Sequence, residues 1–443
     1  MNQLHNSNPA FYKLDGSKWE YFVRKDVVDE VRSQLDASMG IIPGGASRGE
    51  SSGGAGPNES GPGAGAPAAA STDGERAGSA AGGDQSNFGA DYERIEALEK
   101  QERVEELREG STRLQELAAR EERSHEETAE ALVDTARDAA LINRASVMEA
   151  IRMGNEEARG YTDDVVEATQ ELVRHSLQLV DDEIFEDQMV RDLISKSNGT
   201  VVQHMTRVYL NGLSFMLWYN RQVLTSSLVN RIRIDFPRRY AKTYRKLLPA
   251  VHPDDVSLER VFLGGMQALS ERQLSTFATG FLVHDIGKVE DIEYHEGEEG
   301  YNRETVERHV KIGYTAVMNK TNYPREAGLI TGYHHEYYGD PAGYGYFREF
   351  LERYRAANPQ ARIDYVMAYE MEPLIDYLAL AYFPAKVLEV VDVFDSLTDP
   401  NRKYRAPLSQ EDAIGLMQEQ FVDTNLKLDP ILFNLFRRFT GLT

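Results

Sequence analysis

The sequence predicts a mainly α protein, and three observations carry that expectation. From Thr200 onward nearly every segment reads as helix separated by polar or Gly/Pro turns, and long strands of alternating polarity are absent. The stretch from Tyr92 to Ser195 continues the helical spacing of apolar residues. No repeat at a fixed period marks a solenoid. With 443 residues and 41% hydrophobic content, the chain has room for two or three domains and at least one sizeable core.

Residues 1–40 read as a small αβ fragment. Phe11 to Val23 has strand-like aromatic and β-branched positions around an Asp15-Gly16 turn signal, and Val27 to Leu35 is helical. Residues 41–90 read as a flexible, disordered linker. Between Ile42 and Phe88 the composition is Gly, Ala, Ser and Pro, with too little apolar surface to offset the entropy of ordering. Residues 91–195 form a helical, partly coiled-coil region. Val104, Leu107, Leu114 and Ala118 fall on an a/d-like seam, Ile95 and Leu98 slip out of that frame, and Gly160 is the expected break in the following helices. Val165, Leu172, Leu177 and Ile184 are apolar positions of those helices. The seam admits two readings, a homodimer through 91–195 or a helix packed on its own chain. Residues 196–443 form an all-α C-terminal domain.

The formal charge of -23, from 72 acidic and 49 basic residues, argues against sequence-independent binding of DNA or RNA, because no general cationic excess exists to displace counterions. With no cysteine, neither disulfides nor thiolate metal sites are possible, so a metal must sit on nitrogen and oxygen ligands. Met1 to Asp15 carries no apolar signal core, and no run approaches about 18 unbroken apolar residues. The expectation is a cytoplasmic protein without membrane insertion.

Four of the ten histidines lie in one short stretch, in three settings: His284-Asp285-Ile286-Gly287-Lys288, His309 with Gly313, and His334-His335-Glu336. His204 lies upstream on an apolar helix with Val201, Val202, Val208 and Leu210, and Asp392 lies downstream in Val390-Val391-Asp392-Val393-Phe394-Asp395. A neutral imidazole offers one nitrogen, whereas a carboxylate has two oxygens and can span a metal pair. Two nearby metals could clamp a phosphodiester and activate water, with the Lys288 ammonium beside the phosphate. Alone, His204 reads as a satisfied core histidine, and its place ahead of the other motifs points instead to a ligand. For the adjacent pairs His284-Asp285 and His334-His335, burial without a metal would be costly. Asp395 stays open between a contact to a ligand and a helix-to-loop contact, outside the ligand set. His5, His125, His175 and His252 read as surface or structural, and His295, just past Lys288, reads as a solvated loop residue or one that approaches the site entrance.

These motifs, in order and setting, resemble the HD-GYP phosphodiesterases: His-Asp-Ile-Gly-Lys, the His-x-x-x-Gly, the His-His-Glu followed by a Gly-Tyr loop, and Val-Asp-Val-Phe-Asp-Ser-Leu-Thr. The resemblance covers His204 to the C terminus. The helices before Thr200 resemble an accessory domain that often precedes HD-GYP domains. It implies an HD-superfamily helical fold, and hydrolysis of cyclic di-GMP to the linear dinucleotide pGpG or to GMP in bacterial second-messenger signalling. It implies two divalent ions, iron or manganese, on His204, His284, Asp285, His309, His334, His335 and Asp392. Members with three metals place a Glu where this chain has Thr200, so a dinuclear centre is expected. His284, Asp285 and Lys288 are the implied catalytic groups, and Lys288, Arg402 and Arg405 the implied contacts to phosphate or guanine.

The chain departs from the family in its signature loop. The family has Asp-Gly-x-Gly-Tyr-Pro, whereas this sequence reads Gly339-Asp340-Pro341-Ala342-Gly343-Tyr344-Gly345, one residue longer and with Gly in place of the final Pro. Asp340, Gly343 and Tyr344 keep the implied substrate contacts, while Gly345 releases a fixed φ and adds an N–H. Two intervals also look longer than in the family. One holds the basic run Arg231, Arg233, Arg238, Arg239, Lys242, Arg245 and Lys246; the other holds Tyr365, Tyr369 and Tyr377. The basic run reads as a solvated face or partner contact, or as an attractor of anionic substrate. Two further functions stay open: a receptor that binds the dinucleotide but turns it over poorly, and a phosphohydrolase for another nucleotide.

Overall fold

The structure, a computed structural model, describes residues 12–14, 18–20, 94–95, 97–180, 201–288, 303–338, 345, 365–375, 381–399 and 406–442. It is mainly helical, as the sequence predicts. In the N-terminal fragment two strands, β1 (Tyr12–Leu14) and β2 (Lys18–Glu20), pair antiparallel with Lys13 opposite Trp19. The expected helix Val27 to Leu35 and the linker 41–90 lie outside the described residues.

Three long helices follow: α1 (Lys100–Ala118), α2 (His125–Ala150) and α3 (Asn155–Leu179). Their starts are written in the sequence. The backbone N–H of Glu99 donates to Glu102 Oε2 at 2.8 Å to open α1, and Ser124 Oγ accepts from Glu127 N at 3.0 Å to open α2. Gly160 does not break the chain; it lies inside α3, and the break falls at Gly154. A glycine in a helix costs about 1 kcal/mol relative to alanine, which burial of Ala158, Thr162, Val165 and Leu172 on the same helix outweighs. The seam residues Val104, Leu107 and Leu114 are buried within the chain, where α1 packs on α2 and α3. Ile95, read as out of frame, is buried as well, with its carbonyl accepting from Arg103 Nε at 3.1 Å.

The C-terminal half runs through α4 (Val201–Thr225), α5 (Leu228–Arg239), α6 (Ala241–Leu247), α7 (Leu258–Val261), α8 (Glu271–Val283), α9 (Arg303–Lys320) and α10 (Arg325–Tyr333). Then come β3 (Met367–Ala368), α11 (Glu372–Ile375), β4 (Ala381–Tyr382), α12 (Phe383–Thr398), α13 (Gln410–Leu416), a π-helical turn (Met417–Asp423) and α14 (Pro430–Thr440). β3 and β4 pair in parallel, and Phe262 bridges to Met367, so a minimal sheet exists where only helix was expected. Part of the second long interval is core rather than appendage: Tyr369 stacks on Phe383 at 4.3 Å, and its hydroxyl meets that of Tyr219 at 2.6 Å. Tyr377 lies outside the described residues.

One continuous set of buried side chains runs from Ile95 to Phe436. Helix α2 packs on α4, and α3 packs on α8 and α9. Polar contacts fasten α3 to the end of α9: Thr162 Oγ1 donates to the Lys320 carbonyl at 2.9 Å, and Lys320 Nζ donates to the Met153 carbonyl at 2.6 Å. Among the described residues no helix is long and apolar enough to cross a membrane.

Candidate metal centre

Five helices bring the seven proposed ligands to one place. His204 lies in the first turn of α4, His309 within α9 and Asp392 within α12. The other four stand at helix C-termini: His284 caps α8 with Asp285 next to it, and His334 caps α10 with His335 next to it. A helix C-terminus carries partial negative charge, so two such ends converging on one point favour a cation there. All seven residues are 6% exposed or less.

Backbone carbonyls set the tautomers. His284 Nδ1 lies 2.8 Å from the Phe281 carbonyl, and His334 Nδ1 lies 2.7 Å from the Thr331 carbonyl. A carbonyl only accepts, so each Nδ1 carries the proton and each Nε2 presents a lone pair to the interior. The two oxygens of Asp285 divide the histidines into two groups. Oδ2 faces His204 Nε2 at 3.3 Å and His284 Nε2 at 3.5 Å; Oδ1 faces His309 Nε2 at 3.1 Å and His334 Nε2 at 3.7 Å. Asp392 spans the same divide, with Oδ1 3.0 Å from His204 Nε2 and Oδ2 3.8 Å from His335 Nδ1.

Three of these six separations, 3.0, 3.1 and 3.3 Å, lie in the range that ligands of one shared ion take. Nitrogen and oxygen ligands about 2.1 Å from a shared ion stand about 3.0–3.4 Å from each other. Asp285, His309, His334 and His335 each offer a ligand atom within 4.8 Å of one another, and His204, His284 and Asp285 do the same. Among the described residues, the buried Nε2 atoms of His204 and His284 and Oδ1 of Asp285 have no hydrogen-bond partner, which a cation between them would remedy. The 3.0 and 3.3 Å approaches to His204 Nε2 are therefore close charges without hydrogen-bond alignment. The buried His/Asp groups could hold a metal ion.

Electrostatics point the same way. Burial pushes His284 down to about 3 and also lowers His309 and His335, keeping these imidazoles neutral as ligation requires. Burial opposes ionisation of Asp285, yet Lys288, His284 and His309 hold its carboxyl well below the usual range. Lys288 Nζ touches Asp285 Oδ2 directly and is itself partly exposed. His204 moves the other way: burial disfavours its charge, but Asp285, Asp392 and Asp395 raise it to about 10. In the metal-free protein a proton on His204 supplies positive charge among three carboxylates, and an ion would take over that role.

Two residues near the ligands were not read from the sequence as parts of the site. Asp395, left open there, accepts from His204 Nδ1 at 2.7 Å, and Arg207 grips Asp395 through Nε at 2.7 Å and Nη2 at 3.0 Å. Arg207 also reaches Asp399 at 3.1 Å. The signal was one-turn spacing, since Arg207 follows His204 and Asp395 follows Asp392 by three residues, which places each pair on one helix face. Gly345 donates its N–H to the His335 carbonyl at 3.0 Å, so the N–H gained in place of proline is used. A Cβ there would strike Glu336, 2.8 Å from its Cα. Asp340, Gly343, Tyr344, Arg402 and Arg405 lie outside the described residues, as do His5 and His295. His175 is buried and structural, its Nδ1 2.8 Å from Ser111 Oγ.

No protein-family model, curated protein or solved structure matches this chain.

Proposed function

We propose that the chain is a dinuclear metal-dependent phosphodiesterase of HD-GYP type that hydrolyses cyclic di-GMP to pGpG or GMP in cytoplasmic bacterial signalling. The observation that carries the reading is Asp285, buried, with one oxygen turned to His204 and His284 and the other to His309 and His334. A carboxylate shared between two imidazole groups suits two ions rather than one, and the resemblance implies iron or manganese. When bound, such ions supply Lewis acidity that activates water and withdraws charge from phosphorus.

The protein's own groups orient and neutralise. His284 and His334 are locked with Nε2 inward by carbonyls of their own helices. Asp395 and Arg207 hold His204 in place from behind. Lys288 sets an ammonium beside Asp285 at the partly exposed edge, where a phosphate oxygen can compete for it. The resemblance to HD-GYP phosphodiesterases assigns the remaining substrate contacts to Arg402, Arg405, Asp340, Gly343 and Tyr344. Water adds across one P–O ester bond, leaving a phosphate monoester on one nucleotide and a hydroxyl on the other.

Protein loaded with iron or manganese should convert cyclic di-GMP to a linear product, and the double variant His284→Ala, Asp285→Ala should lose both bound metal and turnover. Full activity in that variant defeats the reading. A panel of cyclic di-GMP, cyclic GMP-AMP and mononucleotides on one preparation separates this substrate from other nucleotides.

A further inference from the structure

The basic run in α5 and α6 is not used by the metal centre. It meets the C-terminal segment across a cavity of about 300 Å³, at the lower end of the size range of ligand pockets. Exposed Arg239 and Lys246 line it together with half-buried Arg437 on α14. Among the described residues none of the three is paired with a carboxylate. The Nε of Arg437 is buried without a hydrogen-bond partner, although its Nη1 reaches Gln418 Oε1 at 3.3 Å. One carboxylate, Asp423, also lines the cavity, and its Oδ1 accepts from Gln418 Nε2 at 2.9 Å.

The walls are ordered rather than loose. Tyr240, buried, lies under Arg239 at 5.6 Å, and its hydroxyl accepts from Asn434 Nδ2 at 2.5 Å. The π-helical turn Met417–Asp423 forms the facing wall, a backbone form that recurs at functional sites. Among the described residues, none of the metal centre lines this cavity.

We propose that this cavity is a second ligand site, for a small phosphorylated anion carrying at least two negative charges. Three lining cations against one carboxylate leave an excess of positive charge that a dianion neutralises through charge-assisted hydrogen bonds. The cavity's size selects a small molecule over a nucleic acid.

Inorganic pyrophosphate is the probe. It is titrated calorimetrically into the full chain after metal removal, at constant ionic strength, so that ligation at the histidine centre contributes no heat. Saturable binding is expected with Kd below about 1 mM. The double variant Arg239→Gln, Arg437→Gln should weaken it at least about tenfold, and Lys246→Gln about threefold or more. Lys242→Gln, on the same basic face but outside the cavity, should leave it unchanged. Absence of saturation, or equal affinity in wild type and the double variant, overturns the site. Should the double variant lose its helical circular dichroism, Lys246→Gln decides, and unaltered affinity in it overturns the proposal.

Discussion

Asp395 shows how a residue that touches no proposed ion can govern one. Its carboxylate fixes the His204 ring through Nδ1 and is itself fixed by the two-pronged grip of Arg207. Partners that orient a ligating histidine are typically worth about 10–100-fold in metal affinity. Asp395→Asn keeps the shape but drops the charge, and should weaken manganese binding at least about tenfold in equilibrium titration while leaving the fold intact. Unaltered affinity would show that His204 needs no such orienter. A second expectation concerns pH. His204 is raised from an ordinary 6.5 to about 10 in the metal-free protein, so its charge stabilises that state in full below about 6.5, and the stabilisation fades as pH rises through about 10. Metal must displace that proton, so apparent affinity should climb from pH 6 to 9, with proton uptake by the buffer visible in calorimetry. A flat pH profile would mean that His204 is not a ligand. The order of His and Asp residues was legible because each motif is local. The division of labour between the Asp285 oxygens was not, because it depends on four helices meeting.

At the scale of elements, the motif glycines are packing devices. Gly287 follows the His284-Asp285 corner, and a Cβ there would overlap the His309 carbonyl and the backbone of Gly313, whose Cα lies 2.8 Å away. A Cβ on Gly313 would in turn press the Thr331 methyl of α10 at 2.7 Å. The two glycines let the end of α8 cross α9 backbone to backbone, which sets the distance from Asp285 to His309. Gly287→Ala, obstructed by main chain rather than by a flexible side chain, should destabilise by about 3 kcal/mol or more in urea unfolding, and should release metal at lower denaturant than wild type. A loss under about 1 kcal/mol would refute the backbone crossing. Buried Lys386 works similarly from α12: it binds the Glu336 carbonyl and, at 2.8 Å, Glu389 Oε1, tying the His334–Glu336 turn to the helix of Asp392. Helix α8 opens on Ser270, whose Oγ accepts from Gln273 N at 3.3 Å, a cap the sequence reading passed over. That reading misplaced the break at Gly160 because a glycine signals weakness in a helix without recording what packs on either side.

At the scale of the molecule, the question is whether the helices before residue 195 are an attachment or part of the body. Apolar periodicity told that α1 buries a stripe, but a stripe does not say whose surface covers it, so dimer and self-packing looked alike in the sequence. In the structure α1 lies on α2 and α3, α2 lies on α4, and α3 lies on α8 and α9, with Asn143 of α2 linking Thr169 at 2.8 Å and the hydroxyl of Tyr323 beyond α9. Such a core unfolds as one unit, and a lesion in α3 should be felt across it. Trp218 on α4 is the reporter, in a Trp19→Phe background that silences the only other tryptophan. Leu172, 1% exposed on α3, is the lesion: Leu172→Ala should lower the stability read by Trp218 fluorescence by about 2–5 kcal/mol, with a single midpoint shared with helical circular dichroism. Two separated midpoints, with the Trp218 transition unmoved, would make the N-terminal helices an independent module. A shared transition would make the first three helices part of the same cooperative body as α9, which carries His309.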